Sequence, residues 1–358
     1  MYDVRRIRKW WRTLNFSKEV AKLKNNEIAP IYLVLGTESY LNRIVRDTFI
    51  HSILKEDEVD LNLGIYDMEE VPLGTALEDA ESIPFFGDRR LVIIDRPLFL
   101  TGDKSKPKFE HDMKWFENYL NKPSETASLV IFAPYEKLDE RKKISKLLKK
   151  KAVIIETTIL SEKEMRSYVR KTIENEDFTI SPEAFELFVQ LTDAKLTVAM
   201  SELPKLFLFG QKTKYITKDA VSELIIKSLE QNIFSLNEYV LKKKVGPALE
   251  LYHDLLLQKE DPIKINAIMT AQFRLLLQVK ILEKKGYQQG DIAKILKIHP
   301  YRIKLSIQHM RPFNKQVLAD AYNGLIDTEY RLKTGQGDRG MQFELFVLQF
   351  ASNHLMTQ

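Results

Sequence analysis

The chain has 358 residues, a length that predicts two or three domains of ordinary size. Its 44% apolar and 29% charged content argues against an intrinsically disordered or membrane-embedded protein, and no uninterrupted apolar run approaches the roughly 18 residues of a membrane span. The absence of cysteine excludes thiol nucleophiles, disulfides and cysteine-ligated zinc or iron–sulfur centres and is compatible with a reducing cytoplasm, while a net charge of +5 permits contact with DNA without demanding it.

Residues 1–27 read as an N-terminal extension and lead-in helix. Arg5, Arg6, Arg8, Lys9 and Arg12 surround Trp10 and Trp11, without the apolar stretch of a secretory signal. This segment reads as a basic, aromatic helix packed on the first domain; a membrane-surface or nucleic-acid contact and a non-native start are the alternatives.

From residue 28 to 160 strands alternate with helices. Pro30-Ile31-Tyr32-Leu33-Val34-Leu35 is a compact apolar run ending at Gly36, followed by helical spacing through Ile50. Further strands are expected at 62–66, 90–95, 128–132 and 152–156, with helices at 73–80, 109–120 and 140–150. This alternation predicts a mainly parallel sheet covered by helices on both faces.

Beyond residue 160 helical periodicity takes over. Ser161 with Glu164 forms a capping-box pattern, Ser181-Pro182-Glu183 is a helix start, and Thr217-Lys218-Asp219 looks like another. A small helical domain over 161–226 and a larger helical domain over 227–358 follow. Glycine or proline punctuates the helices of the latter.

The first strand–turn–helix is where a nucleotide-binding protein of this architecture places a phosphate loop, G-x-x-x-x-G-K-[ST]. Counted from Gly36, the second glycine falls on Leu41, the lysine on Asn42 and the hydroxyl on Arg43. All three required groups are missing. The six histidines show no zinc-ligand spacing, there is no G-x-S-x-G elbow, and Asp139-Glu140-Arg141 reads as the charged first turn of a solvated helix. No catalytic residue, metal or cofactor is expected.

Three segments could carry binding. In Ser82-Ile83-Pro84-Phe85-Phe86-Gly87 two adjacent phenylalanines cannot readily face one core, so either the pair is packed or one ring is an exposed anchor. Residues 289–304 have helix-turn-helix spacing, which suits either a DNA reader or two packed helices of a bundle. The glycine-rich stretch 332–340 carries Lys333, Thr334 and Arg339, and is either a phosphate-contacting loop or an ordinary connection.

Several segments together resemble one family, the delta subunit of the bacterial DNA polymerase III clamp loader, in its low-GC Gram-positive form. They are residues 30–41, Ile83 through Ile94, Glu136 through Lys143, Ser228 through Phe234, Asp291 through Leu296 and Leu332 through Gly335. The resemblance spans about residues 28–350 and leaves out the N-terminal extension. It implies an AAA+-like (RecA-like) α/β domain with a degenerate phosphate loop, a helical lid and a helical collar. It further implies a protein that binds the sliding clamp (beta) through Ile83, Pro84, Phe85 and Phe86, on a clamp-contact helix, and opens the ring for loading onto primed DNA. The implied partners are the ATP-hydrolysing tau/gamma subunits and delta-prime, with Lys333, Thr334 and Arg339 toward DNA and no membrane. The family's arginine-finger subunits use a Ser-Arg-Cys motif, which a chain without cysteine cannot carry. The rival reading is a helix-turn-helix DNA-binding protein.

Overall fold

The computed structural model describes residues 19, 22, 23, 27–85, 87–103 and 108–353. The expected helix over residues 1–16 lies outside them, as does Phe86. The chain divides into two compact units. One runs through Ile180 and regains Lys195–Tyr215; the other combines Ser181–Ala194 with Ile216–Gln358.

The first unit is built on five parallel strands, β1 (Ile31–Leu35), β2 (Leu63–Asp67), β3 (Arg90–Asp95), β4 (Ala127–Ala133) and β5 (Val153–Glu156), in the order β2-β3-β4-β1-β5. Ile31 pairs with Leu129, Tyr32 with Val153, Leu63 with Leu91 and Arg90 with Ala127. All seven residues of β4 are buried, which explains its unbroken apolar run: a central parallel strand is covered on both faces.

On one face, Ile31, Leu33, Val92, Ile94, Leu129 and Ile131 pack against helices α3 (Leu73–Glu81), α4 (Met113–Asn121) and α5 (Lys143–Lys151). Toward the other face, α1 (Ser39–Ile53) buries Leu41, Val45 and Phe49, with the Tyr32 and Phe49 rings 4.7 Å apart. The short α2 (Val59–Asn62) leads directly into β2, so Asn62 ends a helix rather than opening a strand. Helix α4 starts at Met113 because Asp112 caps the amides of Lys114 and Trp115. Helix α5 starts only at Lys143. Asp139 stands in the preceding turn, where a bond from Arg141 holds its carboxyl down to about 2, so these acids are not a helical first turn.

The first unit also holds α6 (Glu162–Asn175), opened by the Ser161–Glu164 capping box. In chain order α7 (Pro182–Leu191), capped by Ser181, belongs to the second unit, α8 (Leu196–Phe209) to the first, and α9 (Lys218–Leu224), capped by Thr217, to the second.

The second unit continues with α10 (Leu229–Leu241), α11 (Val245–Leu257), α12 (Pro262–Lys284), α13 (Gln289–Leu296), α14 (Pro300–Met310), α15 (Lys315–Thr334) and α16 (Arg339–Asn353). Its axis is α12, which buries Ile265, Met269, Phe273, Leu276 and Val279 at helical spacing and packs against α10, α14, α15 and α16. By length and mean hydropathy α12 is the one helix among the described residues long and apolar enough to cross a membrane, though it is not an uninterrupted apolar run. Its isolated polar residues break every apolar run, and half of the stretch is buried inside the protein, as in a core helix. The buried Asn237 Nδ2 donates to Gln272 Oε1 at 2.8 Å, and Gln272 Nε2 donates in turn to Glu230 O at 2.9 Å. Gly324 lets α15 approach α16 closely, since a Cβ there would lie 2.7 Å from the Phe346 ring.

Candidate functional site

In a parallel sheet all strands begin at one edge and end at the other, and the two edges of this sheet are built differently. The loop joining α3 to β3 lies at the amino edge. It is not helical, so the expected clamp-contact helix is a loop following α3. Ser82 closes α3 by donating its hydroxyl to Asp79 O at 2.7 Å. The Arg90–Asp79 ion pair, with Arg90 Nε 2.7 Å from Asp79 Oδ1, joins the two ends of the loop. Arg90 also donates to Leu61 O at 3.2 Å.

Within this frame Ile83 is 85% exposed and Phe85 56% exposed, with Pro84 half-buried between them. Leu61, at the end of α2, is exposed as well. Beneath the loop lies Asn62, fully buried. Its Oδ1 accepts from the Phe85 N–H at 2.7 Å, and its Nδ2 donates to the Phe85 C=O at 2.7 Å. A Cβ on Gly87 would sit 3.1 Å from Asn62 Nδ2 and 3.2 Å from Glu58 Cδ, so the loop closes tightly over this amide. Lys55 bonds Glu58 through its backbone amide and its ammonium, holding that carboxyl below the usual range. Sequence reasoning singled out the loop but missed Asn62, because a polar residue beside a strand gives no sign of a partner 23 positions away.

The carboxyl edge is where open α/β sheets bind ligands, beside a strand whose neighbours connect in opposite directions. Here that strand is β1, between β4 and β5. Gly36 has φ +144°, and a Cβ on it would fall 2.2 Å from the Thr157 carbonyl carbon. The chain leaving β5 thus crosses directly over the loop. Glu38 N donates to Thr157 O (2.9 Å), Gly36 N to Ala133 O (3.2 Å) and Tyr40 N to Thr197 Oγ1 (3.0 Å). Three amides of the type that cradle phosphate are therefore engaged by protein oxygens.

Asn42, at the lysine position, donates to Gly36 O (3.1 Å) and accepts from the Thr157 hydroxyl (2.6 Å). Leu41 is buried in the core, and Arg43 is exposed over the Tyr40 ring at 5.4 Å. The Glu38 carboxylate, nearly buried at the start of α1, bonds Thr197 and places negative charge where a phosphate would need the opposite. At the end of β3, Asp95 forms a two-point ion pair with Arg46, whose guanidinium stacks 4.5 Å over Phe132. Among the described residues no group of three or more histidine and acidic side chains is arranged to hold a metal.

In the second unit the helix-turn-helix-like segment is α13, a left-handed Lys297 and α14. Ile292, Ala293 and Ile303 belong to the core, and of the eleven residues of α14 only Pro300 and Gln308 are exposed, which favours two packed helices of a bundle over a DNA-reading helix. Lys333 and Thr334 are exposed at the end of α15, but Lys333 pairs with Glu329 at 2.5 Å and the Thr334 hydroxyl donates to Tyr330 O. Arg339 is exposed at the start of α16, across a turn that uses positive φ at Gly335 and Gly337. Helices α15 and α16 also carry exposed apolar rows that sequence reasoning did not single out: Ile326 and Tyr330 on the first, Met341, Leu345 and Leu348 on the second.

A parallel-sheet unit joined to a helical unit is also the architecture of a solved clamp-loader protein. The fold matches the Bacillus subtilis DNA clamp loader delta protein with a TM-score of 0.70 and 40% identity, covering 94% of this chain and 99% of that one. The chain belongs to the DNA polymerase III delta subunit family. The family's delta-subunit model matches residues 32–158 and its C-terminal-domain model residues 230–350. The DNA polymerase III subunit delta of Bacillus subtilis (strain 168) is 41% identical over 327 residues, 91% of this chain and 94% of its own length.

Proposed function

We propose that this chain binds the ring-shaped sliding clamp (beta) and opens it for loading onto primed DNA, without hydrolysing ATP itself. The observation that carries the reading is the exposure of Ile83 and Phe85 on a loop whose backbone is fixed from below. Exposed aromatic and aliphatic groups on a rigid frame are what a hydrophobic hot spot requires, each worth about 1.5–3 kcal/mol on burial. Pro84 and Phe86 complete the contact by their match to the family's clamp-binding position.

The test is Phe85→Ala/Phe86→Ala in the full chain, read by clamp affinity and thermal melting. Affinity should fall by roughly two to four decades with an unchanged melt. Retained affinity, or a fall in melting temperature large enough to explain the loss, overturns the reading.

For ATP, the engaged amides, the Asn42 bridge and the Glu38 carboxylate support a site closed to Mg-ATP. ATP then acts through the neighbouring tau/gamma subunits. Calorimetric binding of Mg-ATP by the pure chain at micromolar concentration would contradict this.

The same proposal assigns residues 28–160 to the AAA+-like domain, 161–226 to a lid and 227–358 to a collar. The exposed apolar rows of α15 and α16 support assembly with tau/gamma and delta-prime. The setting is the cytoplasmic replisome. The loop with Lys333, Thr334 and Arg339 is assigned to the phosphate backbone of primed DNA; Lys333→Ala with Arg339→Ala should weaken primer-template binding by the assembled loader and flatten its salt dependence. Unchanged binding across several salt concentrations removes these residues from the DNA contact.

A further inference from the structure

We infer that Asn62 is the positioning residue of the clamp-contact loop, holding Phe85 outward by a two-way hydrogen bond to its backbone. The inference rests on the reading of that loop as the clamp contact. Both bonds are 2.7 Å long and the side chain is fully buried. The backbone N–H of Phe85 can only donate and its C=O only accept, so the amide has one possible orientation.

At neutral pH a primary amide presents a donor and an acceptor side by side on one short planar group, which an ionised carboxylate does not. Aspartate keeps the acceptor and loses the donor, alanine loses both, and glutamine reaches one methylene too far. Asn62 therefore pairs with Phe85 as a neighbouring strand would. Because Asn62 is the last residue of α2 and Leu63 the first of β2, the loop is registered directly to the sheet. Gly87 and Glu58 wall in the amide, and the Asp79–Arg90 pair closes the base of the loop. With its backbone fixed at the base and in the middle, the loop presents Ile83 and Phe85 without an ordering cost on binding.

The experiment uses the full chain and the purified clamp ring, comparing wild type, Phe85→Ala, Asn62→Ala and Asn62→Asp between pH 7.5 and 5.5. At pH 7.5 both Asn62 variants should bind about tenfold to a hundredfold more weakly than wild type. As pH falls, Asn62→Asp alone should recover toward wild type, because protonation of its buried carboxyl restores a donor toward Phe85 O. Glu58, with Lys55 on it, and the Asp79–Arg90 pair are the charged groups about the position, and Asn62→Ala, which adds no charge there, reports their own titration over the same pH range. A loss that stays constant with pH overturns the positioning role, as does wild-type affinity in Asn62→Asp. In both cases weak binding by Phe85→Ala leaves the clamp reading intact. Wild-type affinity in Phe85→Ala overturns the clamp reading itself.

Discussion

The two edges of the five-stranded sheet are built on opposite principles. At the carboxyl edge polar groups converge and satisfy one another: Gly36, Asn42 and Thr157 form one cluster, Glu38, Tyr40 and Thr197 another, and Arg46 pairs with Asp95. At the amino edge the polar groups are spent beneath the surface, in Asn62 and in the Asp79–Arg90 pair, and apolar side chains face solvent. One sheet thus carries paired polar groups at one end of its strands and exposed apolar side chains at the other.

The sharpest way to break this comparison is to place one methyl group at each edge. Gly36→Ala meets Thr157 backbone at 2.2 Å and takes on an unfavourable φ. It should cost on the order of 3–5 kcal/mol, read as a large fall in the chemical-denaturation midpoint. Gly87→Ala meets only side-chain atoms at 3.1–3.2 Å and should cost under about 1 kcal/mol. Equal losses would mean that the carboxyl edge is not tightly filled.

Next in size is Ile83→Asp, which puts a charge on the exposed loop. It should weaken clamp binding by roughly 2–3 kcal/mol while leaving the melt untouched, and a shifted melt would return Ile83 to the core. Asn42→Ala should follow, at about 1–3 kcal/mol of stability, because the buried Thr157 hydroxyl loses its partner. Asn42→Lys should still give no Mg-ATP binding in calorimetry, since the Thr157 backbone stays in place.

The smallest effect is a pH dependence. Burial holds the His111 imidazole below its ordinary range, and its Nδ1 accepts from Leu73 N at 3.1 Å. The unfolded chain takes up this proton first. The associated stability is therefore present above about pH 6.5 and is lost as pH falls below it. Thermal melts from pH 7.5 to 5.5 should show a slight fall that His111→Gln flattens; an unchanged slope in the variant assigns the fall elsewhere.

Much of this was legible in the residues themselves. The apolar runs at 30–35, 90–95 and 128–132 are strands because central parallel strands are covered on both faces. Ser161, Ser181 and Thr217 mark helix starts because a hydroxyl at that position satisfies an otherwise unpaired amide. The degenerate phosphate loop was readable from three side chains.

What periodicity could not supply was long-range pairing. Thr157 reaches Asn42 across 115 positions and Asn62 reaches Phe85 across 23. Neither contact leaves a local pattern. The helix expected at Ile83–Phe86 came from the family resemblance alone; the residues themselves left the backbone of this segment open, and the structure makes it a loop. The outward rows of α15 and α16 escaped notice because helical spacing tells that a face is apolar, not whether the protein itself covers it.

The interleaved division of the chain bears on synthesis. The first unit is not contiguous: after Ile180 the chain builds Ser181–Ala194 of the other unit before returning with Lys195–Tyr215. Helix α8 in that returning segment supplies Thr197, which receives the Tyr40 amide and bonds Glu38 at the start of α1. A nascent chain halted at Ile180 has its whole sheet but not these partners, so the amino-terminal unit matures only once Tyr215 has left the ribosome. No single cleavage of the backbone can release either unit whole.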